Sequence, residues 1–230
     1  MNRIAPCLLF AFLLFCSCSS TPTTTPEAGM GDPPLQVGFV LLEGVFTTDL
    51  TAAFDVFHHT ASHTKTGMRV FTVGRTREVV RSFEGLTMRP DHDLRSAPAL
   101  DVLVVPGGAH SMKADLEDIE LIDWVSRRGV KAKHVLSFCD GTFLLAEAGL
   151  LRDRRCTTFP GDIPAFRKEY PHIQVEENVS YVEDGPVITS VGGVKSFEAA
   201  LFLVEKLYGK NTAKGIANGL LYGARTKSAE

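Results

Sequence analysis

Apolar residues fall into short unbroken blocks that alternate with stretches of helical spacing. Residues 35–42 (LQVGFVLL) read as a buried strand that Gly44 breaks. Residues 50–59 carry apolar side chains at helical spacing behind Thr48, an N-cap residue type. Residues 68–73 predict a second strand, stopped by Gly74, and residues 78–83 and 86–89 predict a hairpin around Glu84-Gly85. Residues 102–105 (VLVV) are a strand that runs into Pro106-Gly107-Gly108. Residues 116–127 are amphipathic, with a predicted end at Gly129, and residues 135–138 form the next strand. Residues 142–149 have helical character, and 164–170 predict a short helix. Val175, 179–182 and 187–190 predict short strands. Residues 196–208 predict a helix with Phe197, Ala200, Leu201, Val204 and Leu207 on one face, and a last helix covers 211–221.

Strands alternate with helices, and the central strands are apolar throughout. That pattern predicts an α/β domain over 35–225, its mostly parallel sheet covered by helices on both faces. In such sheets ligands bind beyond the strands' carboxyl ends. Three segments lie there: 43–49, 106–110 and 139–142.

The last of these is the most informative. Cys139 stands between the apolar run His134-Val135-Leu136-Ser137-Phe138 and a helical one. A small polar residue at such a junction reads as a nucleophile elbow. A helix N-terminus at the thiol is expected to lower its pKa below that of a free cysteine. Cys156 has opposite parity to Phe159 on a short strand, so it reads as a small buried apolar residue.

The chain has 230 residues, 44% of them apolar, which supports a substantial core. A net charge of −3 and the lack of a long Lys/Arg run argue against a nucleic-acid partner. The N-terminus is separate in character. Met1-Asn2-Arg3 is basic, and 8–15 is apolar but too short to span a bilayer. Residues 1–17 have the layout of a secretory leader, and 18–34 form a Thr/Pro-rich tether. The leader resembles a bacterial lipobox in which Cys18 becomes the lipidated first residue. Cys16 is the weaker candidate, because bulky Phe15 precedes it. The expectation is an exported protein, periplasmic or held at a membrane by a lipid anchor.

Val104-Val105-Pro106-Gly107-Gly108, followed by the elbow from Ser137 to Ala146, resembles the PfpI-type branch of the class I glutamine amidotransferase-like superfamily. Residues 46–50, 54–57 and 148–158 are similar to the same branch, so the resemblance covers nearly all of 35–210. It is nearest in character to isonitrile-hydratase-like members and to the ligand domains of related transcription regulators. The resemblance implies a flavodoxin-like three-layer sandwich, a homodimer, a small-molecule substrate and no cofactor. By position, Cys139 would be the nucleophile and Asp49 the acid beside it. Gly107 and Gly108 would let the backbone approach a ligand, and the N–H groups of Gly108 and Asp140 would form an oxyanion pocket. Thr142 would offer a side-chain hydrogen bond.

One departure bears on chemistry. Many relatives carry a histidine after the paired threonines, where this chain has Phe159. Cys-His chemistry such as proteolysis or glutamine amidotransfer is thereby disfavoured. Hydration of an isonitrile to an N-substituted formamide needs a thiol and an acid, and is the reaction the resemblance implies. His110 is the substitute base to test. The alternative is a thiol-based sensor of oxidants or small ligands. Bland readings stand beside these: Asp49 as a helix cap, Lys195 and Glu198 as an exposed first turn, and His58, His59 and His63 as helix surface without a third metal ligand.

Overall fold

Four consecutive buried aliphatic residues, Val102–Val105, run through the middle of a seven-stranded sheet. The structure, a computed structural model, describes residues 33–223. The expected leader, Cys18, Cys16 and nearly all of the tether lie outside the described residues.

The strands are β1 (Leu35–Val40), β2 (Met68–Gly74), β3 (Val80–Arg81), β4 (Thr87–Met88), β5 (His92–Asp93), β6 (Val102–Val105), β7 (His134–Phe138), β8 (Arg155–Cys156), β9 (Gln174–Val175), β10 (Tyr181–Asp184) and β11 (Val187–Ser190). The helices are α1 (Thr47–His63), α2 (Ala114–Glu117), α3 (Ile119–Lys131), α4 (Gly141–Glu147), α5 (Ile163–Glu169), α6 (Ser196–Tyr208) and α7 (Lys210–Gly219). The main sheet has the order β10-β11-β7-β6-β1-β2-β5, parallel except for β10 against β11.

Side-chain alternation divides the core. Val102 and Val104 face Val56, Phe57, Leu203 and Ile216 of α1, α6 and α7. Leu103 and Val105 face Trp124, Phe143 and Phe166 of α3, α4 and α5. Burial on both faces explains the uninterrupted apolar strands. The result is the mostly parallel, doubly covered sheet that the alternation predicts, in the three-layer, flavodoxin-like sandwich that the resemblance implies.

The chain leaves β1 toward β2 on one side, and β6 lies on the other. The chain leaves β6 toward β7 on that other side, so the connections after the two strands diverge and leave a crevice at their carboxyl ends. The two loops are tied there. Phe46 donates its N–H to Gly107 O at 2.9 Å, and Ala109 donates to Gly44 O at 2.9 Å.

Two local expectations are corrected. Helix α3 continues past Gly129 to Lys131. A Cβ at Gly129 would stand 2.4 Å from Leu150 Cδ1, so this glycine permits close packing and does not stop the helix. Helix α1 starts at Thr47 without a side-chain cap of its own. Instead the Glu84 carboxylate, from the β3–β4 hairpin, accepts the Thr47 N–H at 3.1 and 3.3 Å and the Thr47 hydroxyl as well. An acid at that end also suits the helix dipole. No helix among the described residues is long and apolar enough to cross a membrane.

Candidate active site

Cys139 has φ of 50°, a left-handed conformation that costs a non-glycine residue about 1–3 kcal/mol. Three hydrogen bonds hold it there. Its N–H donates to Ser190 O at 2.9 Å. Its carbonyl accepts from the Thr158 hydroxyl at 3.0 Å and from the Thr142 N–H at 3.3 Å. The neighbouring glycine lets the turn close: a Cβ on Gly141 would lie 2.1 Å from Val105 O. This is the sharp strand-to-helix turn that the sequence predicts.

Asp49, in the first turn of α1, reaches the same place and is 1% exposed. Its Oδ1 accepts the Gly193 N–H at 2.6 Å and the Ser196 hydroxyl at 3.3 Å. Oδ2 is buried with no hydrogen-bond partner among the described residues. Gly107 packs between the two groups: a Cβ there would meet Cys139 Cβ at 2.9 Å and Asp49 Oδ2 at 3.1 Å. The carboxyl is thus fixed from the far side of the fold and faces the thiol across two glycine backbones, Gly107 and Gly192.

Both groups line a cavity of about 380 Å³, with Phe46, Thr48, Phe83, Glu84, Asp140, Phe159, Asp162 and Gly193. That volume is within the range of small-molecule sites. None of the chain's seven histidines lines it.

Burial pushes the Asp49 carboxyl up to about 6, although the hydrogen bonds from Gly193 and Ser196 and the nearby Gly107 backbone oppose the rise. Burial, reinforced by Asp162, pushes Asp140 up to about 7. Cys139 is pushed well above the usual thiol range by burial, then by the charges of Asp140 and Asp49. The Asp140 N–H, directed at the sulfur, opposes this only weakly. The expectation of an acidified thiol is therefore corrected. Helix α4 is seven residues long, and Cys139 is 7% exposed among carboxyls. The short helix does not overcome desolvation and like charge.

A family model described as the DJ-1/PfpI family matches residues 36–206. The chain belongs to the DJ-1/PfpI family. Isonitrile hydratase from Pseudomonas putida is 32% identical over 191 residues, 82% of this chain and 78% of that protein. The HTH-type transcriptional regulator CdhR from Pseudomonas aeruginosa is 29% identical over 144 residues, 63% of this chain and 42% of the regulator. Protein DJ-1alpha from Drosophila melanogaster is 28% identical over 148 residues, 63% of this chain and 67% of that protein. A ThiJ/PfpI family protein from Pseudomonas syringae has the same fold, with a TM-score of 0.73, 23% identity, and coverage of 90% of this chain and 85% of that one.

Within this DJ-1/PfpI fold the expected site residues separate into two groups. Cys139, Asp49, Gly107 and Asp140 come together. Gly108 turns toward the β1 loop, where a Cβ would meet Gly44 O at 3.1 Å. Its N–H takes no part in the bridge to Val45, whose two bonds involve Phe46 and Ala109. Thr142 is corrected: its hydroxyl is fully buried, bonded to Ser137 Oγ at 2.8 Å and donating to Thr157 O at 3.1 Å. It ties the elbow to the segment just after β8 and offers nothing to a ligand. His110 is also corrected. It is exposed beside Gly44 and Asp115, outside the cavity lining. Lys195 pairs with Glu198 away from the cavity, as an exposed first turn would. Cys156 is buried in the core and unpaired among the described residues, and Phe159 forms cavity wall, but the strand expected to join them ends at Cys156, so parity does not set their directions. Among the described residues no group of three His, Cys, Asp or Glu is arranged to hold a metal.

Sequence reasoning missed Phe46, Phe83, Glu84 and Asp162 as lining residues, and Gly193 and Ser196 as partners of Asp49. Phe46 left a trace in the 43–49 segment beyond a strand's carboxyl end, and the Glu84-Gly85 turn left one as a hairpin tip. Nothing local in the sequence shows that this tip folds over the elbow.

Proposed function

We propose that this protein is a thiol-dependent enzyme acting on a small electrophile, with hydration of an isonitrile to an N-substituted formamide as its reaction. The observation that carries the reading is the Cys139 thiol held at a strained turn in a cavity wall, facing a buried carboxyl and no imidazole. The 32% identity to an isonitrile hydratase supports it.

The raised thiol pKa means that sulfur attacks as its proton leaves, not as a standing thiolate. Asp49, near 6, is mostly ionised at neutral pH and can take that proton. The carboxyl then delivers it to the isonitrile carbon as sulfur bonds to the same carbon. The product is a thioimidate, R–N=CH–S–Cys139. Water adds to its carbon, with one proton passing to nitrogen through Asp49. Collapse expels sulfur, which recovers the hydroxyl proton, and R–NH–CHO leaves. Every atom of R–NC and H₂O is accounted for, and Cys139 and Asp49 return to their starting forms.

A second reading is a non-catalytic sensor of oxidants or small ligands. The similarities to a transcriptional regulator and to a DJ-1 protein favour it, while the suppressed acidity of the thiol weighs against its oxidant form and toward small-ligand sensing. A panel of isonitriles, α-oxoaldehydes and small amides, with Cys139→Ala as control, decides between them. Formamide production that depends on Cys139 supports the enzyme. A clean two-oxygen mass adduct on Cys139 with peroxide, and no turnover on the panel, supports the sensor. The proposal places the protein outside the cytoplasm as a homodimer, anchored through lipidated Cys18. Loss of membrane association in Cys18→Ala is the check on the anchor.

A further inference from the structure

The charge of the cavity lining is one-sided. Four of its residues are acids, Asp49, Glu84, Asp140 and Asp162, and none is Lys, Arg or His. The strongest charges acting on the Cys139 sulfur are likewise Asp140 and Asp49, followed by Asp162. Two of the carboxyl oxygens, Asp49 Oδ2 and Asp140 Oδ1, are buried and have no hydrogen-bond partner among the described residues. Their residues are 1% and 7% exposed. Buried acceptors without donors are costly and rare, and a ligand that brings donors offsets the cost.

The rest of the wall is aromatic. Phe46 and Phe83 meet edge to face with centroids 5.4 Å apart, and Phe159 adds a third ring. Phe83 and Phe159 are 66% and 47% exposed, so their rings remain available at the mouth. Aromatic faces with nearby carboxylates attract cations and repel anions, by ring quadrupole and by charge.

We propose that the cavity over Cys139 selects ligands bearing a small alkylammonium group and turns anions away. The ammonium N–H groups would satisfy the free oxygen of Asp140, and the alkyl part would lie against Phe46, Phe83 and Phe159. For the reaction proposed above, the substrate would carry its ammonium group away from the carbon that sulfur attacks. The inference rests on that reading only in taking the cavity as the ligand site.

The test uses a pair of thiol reagents of similar length and opposite charge, 2-aminoethyl and 2-sulfonatoethyl methanethiosulfonate. Each reacts with the full chain, and modification of Cys139 is followed by mass spectrometry of its own peptide. Rates are divided by those for 2-mercaptoethanol. The cationic reagent should be favoured about tenfold or more, the enhancement that a cleft of one charge gives an oppositely charged ligand. Asp162→Asn and Glu84→Gln should each reduce the preference, as should 1 M salt. Equal normalised rates, or faster reaction with the sulfonate, would overturn the proposal. Because no turnover is read, the two ideas fail separately. A cation preference without formamide production removes the enzyme and keeps the ligand class. Formamide production without a cation preference does the reverse.

Discussion

The Gly193 N–H donates to Asp49 Oδ1 at 2.6 Å, a bond between residues 144 positions apart in the chain. It joins the first turn of α1 to the loop before α6 and leaves the other carboxyl oxygen free on the Cys139 side. One oxygen anchors the side chain, and the other is available to exchange a proton.

Replacing Asp49 by Asn keeps an acceptor for Gly193 and removes the titrating oxygen. Asp49→Asn should lower kcat/KM for an isonitrile by about 10²–10⁴, the usual worth of a positioned acid or base. Cys139→Ala should abolish turnover. Steady-state assays with circular dichroism of each variant are the check. Wild-type rates in both variants would remove the proposed mechanism.

The pH profile follows from the same carboxyl. Asp49 must be ionised to accept the thiol proton, and it titrates at about 6. kcat/KM should therefore rise with pH through that value, because this ratio reports groups of the free enzyme. The acid limb should vanish in whatever activity Asp49→Asn retains. A profile flat from pH 5 to 7.5 would contradict the assignment.

Stability should move the opposite way. Burial raises Asp49 above its unfolded value of 3.8 to about 6, so the native state binds more protons between those pH values. Stability from this group is present below about pH 4 and is lost as pH rises through about 6. Asp140, raised to about 7, acts in the same direction. Asp49→Asn should thus stabilise the fold by about 1–3 kcal/mol at pH 8 and by much less at pH 4.5. Thermal unfolding at the two pH values measures this. A variant destabilised at both would show that the ionised carboxyl contributes to stability.

The fold was legible because both of its periods are local. Residues 102–105 announce a doubly buried strand, and the Phe138-Cys139-Asp140-Gly141 junction announces a sharp turn. The elbow was also readable from sequence position, and its acid from the family resemblance. The surroundings of the thiol were not. Its acidity depends on Asp49, Asp140 and Asp162, which are brought together from three elements, and on desolvation that no spacing encodes. Thr142 misled because a hydroxyl in a first turn is as suited to tying down the backbone as to meeting a ligand; its contacts with Ser137 and Thr157 decide for the former. Gly129 misled in the same way, as a glycine kept for the close approach of Leu150.

The left-handed turn at Cys139 stores strain that can be measured. Glycine adopts φ of 50° freely, whereas alanine does not. Cys139→Gly should be more stable than Cys139→Ala by about 1–2 kcal/mol, or roughly 2–8 °C in Tm at about 2–4 °C per kcal/mol for a chain of this size. Equal midpoints would mean that the bonds to Ser190, Thr158 and Thr142 do not hold the turn against strain.

Phe159 occupies cavity wall beside a thiol that has no cation to favour its ionised form. Putting an imidazole there supplies the cation that the site lacks. In Phe159→His an imidazolium would favour the thiolate, and the present carboxyls would hold that imidazolium in place. Alkylation of Cys139 by iodoacetamide at pH 7 should accelerate about tenfold or more. The pH dependence of that rate should also move to lower pH. Phe159 is half exposed, so the change should leave the fold intact. An unchanged alkylation rate in a folded Phe159→His would mean that position 159 does not control the thiol, and that burial among carboxyls alone sets its reactivity.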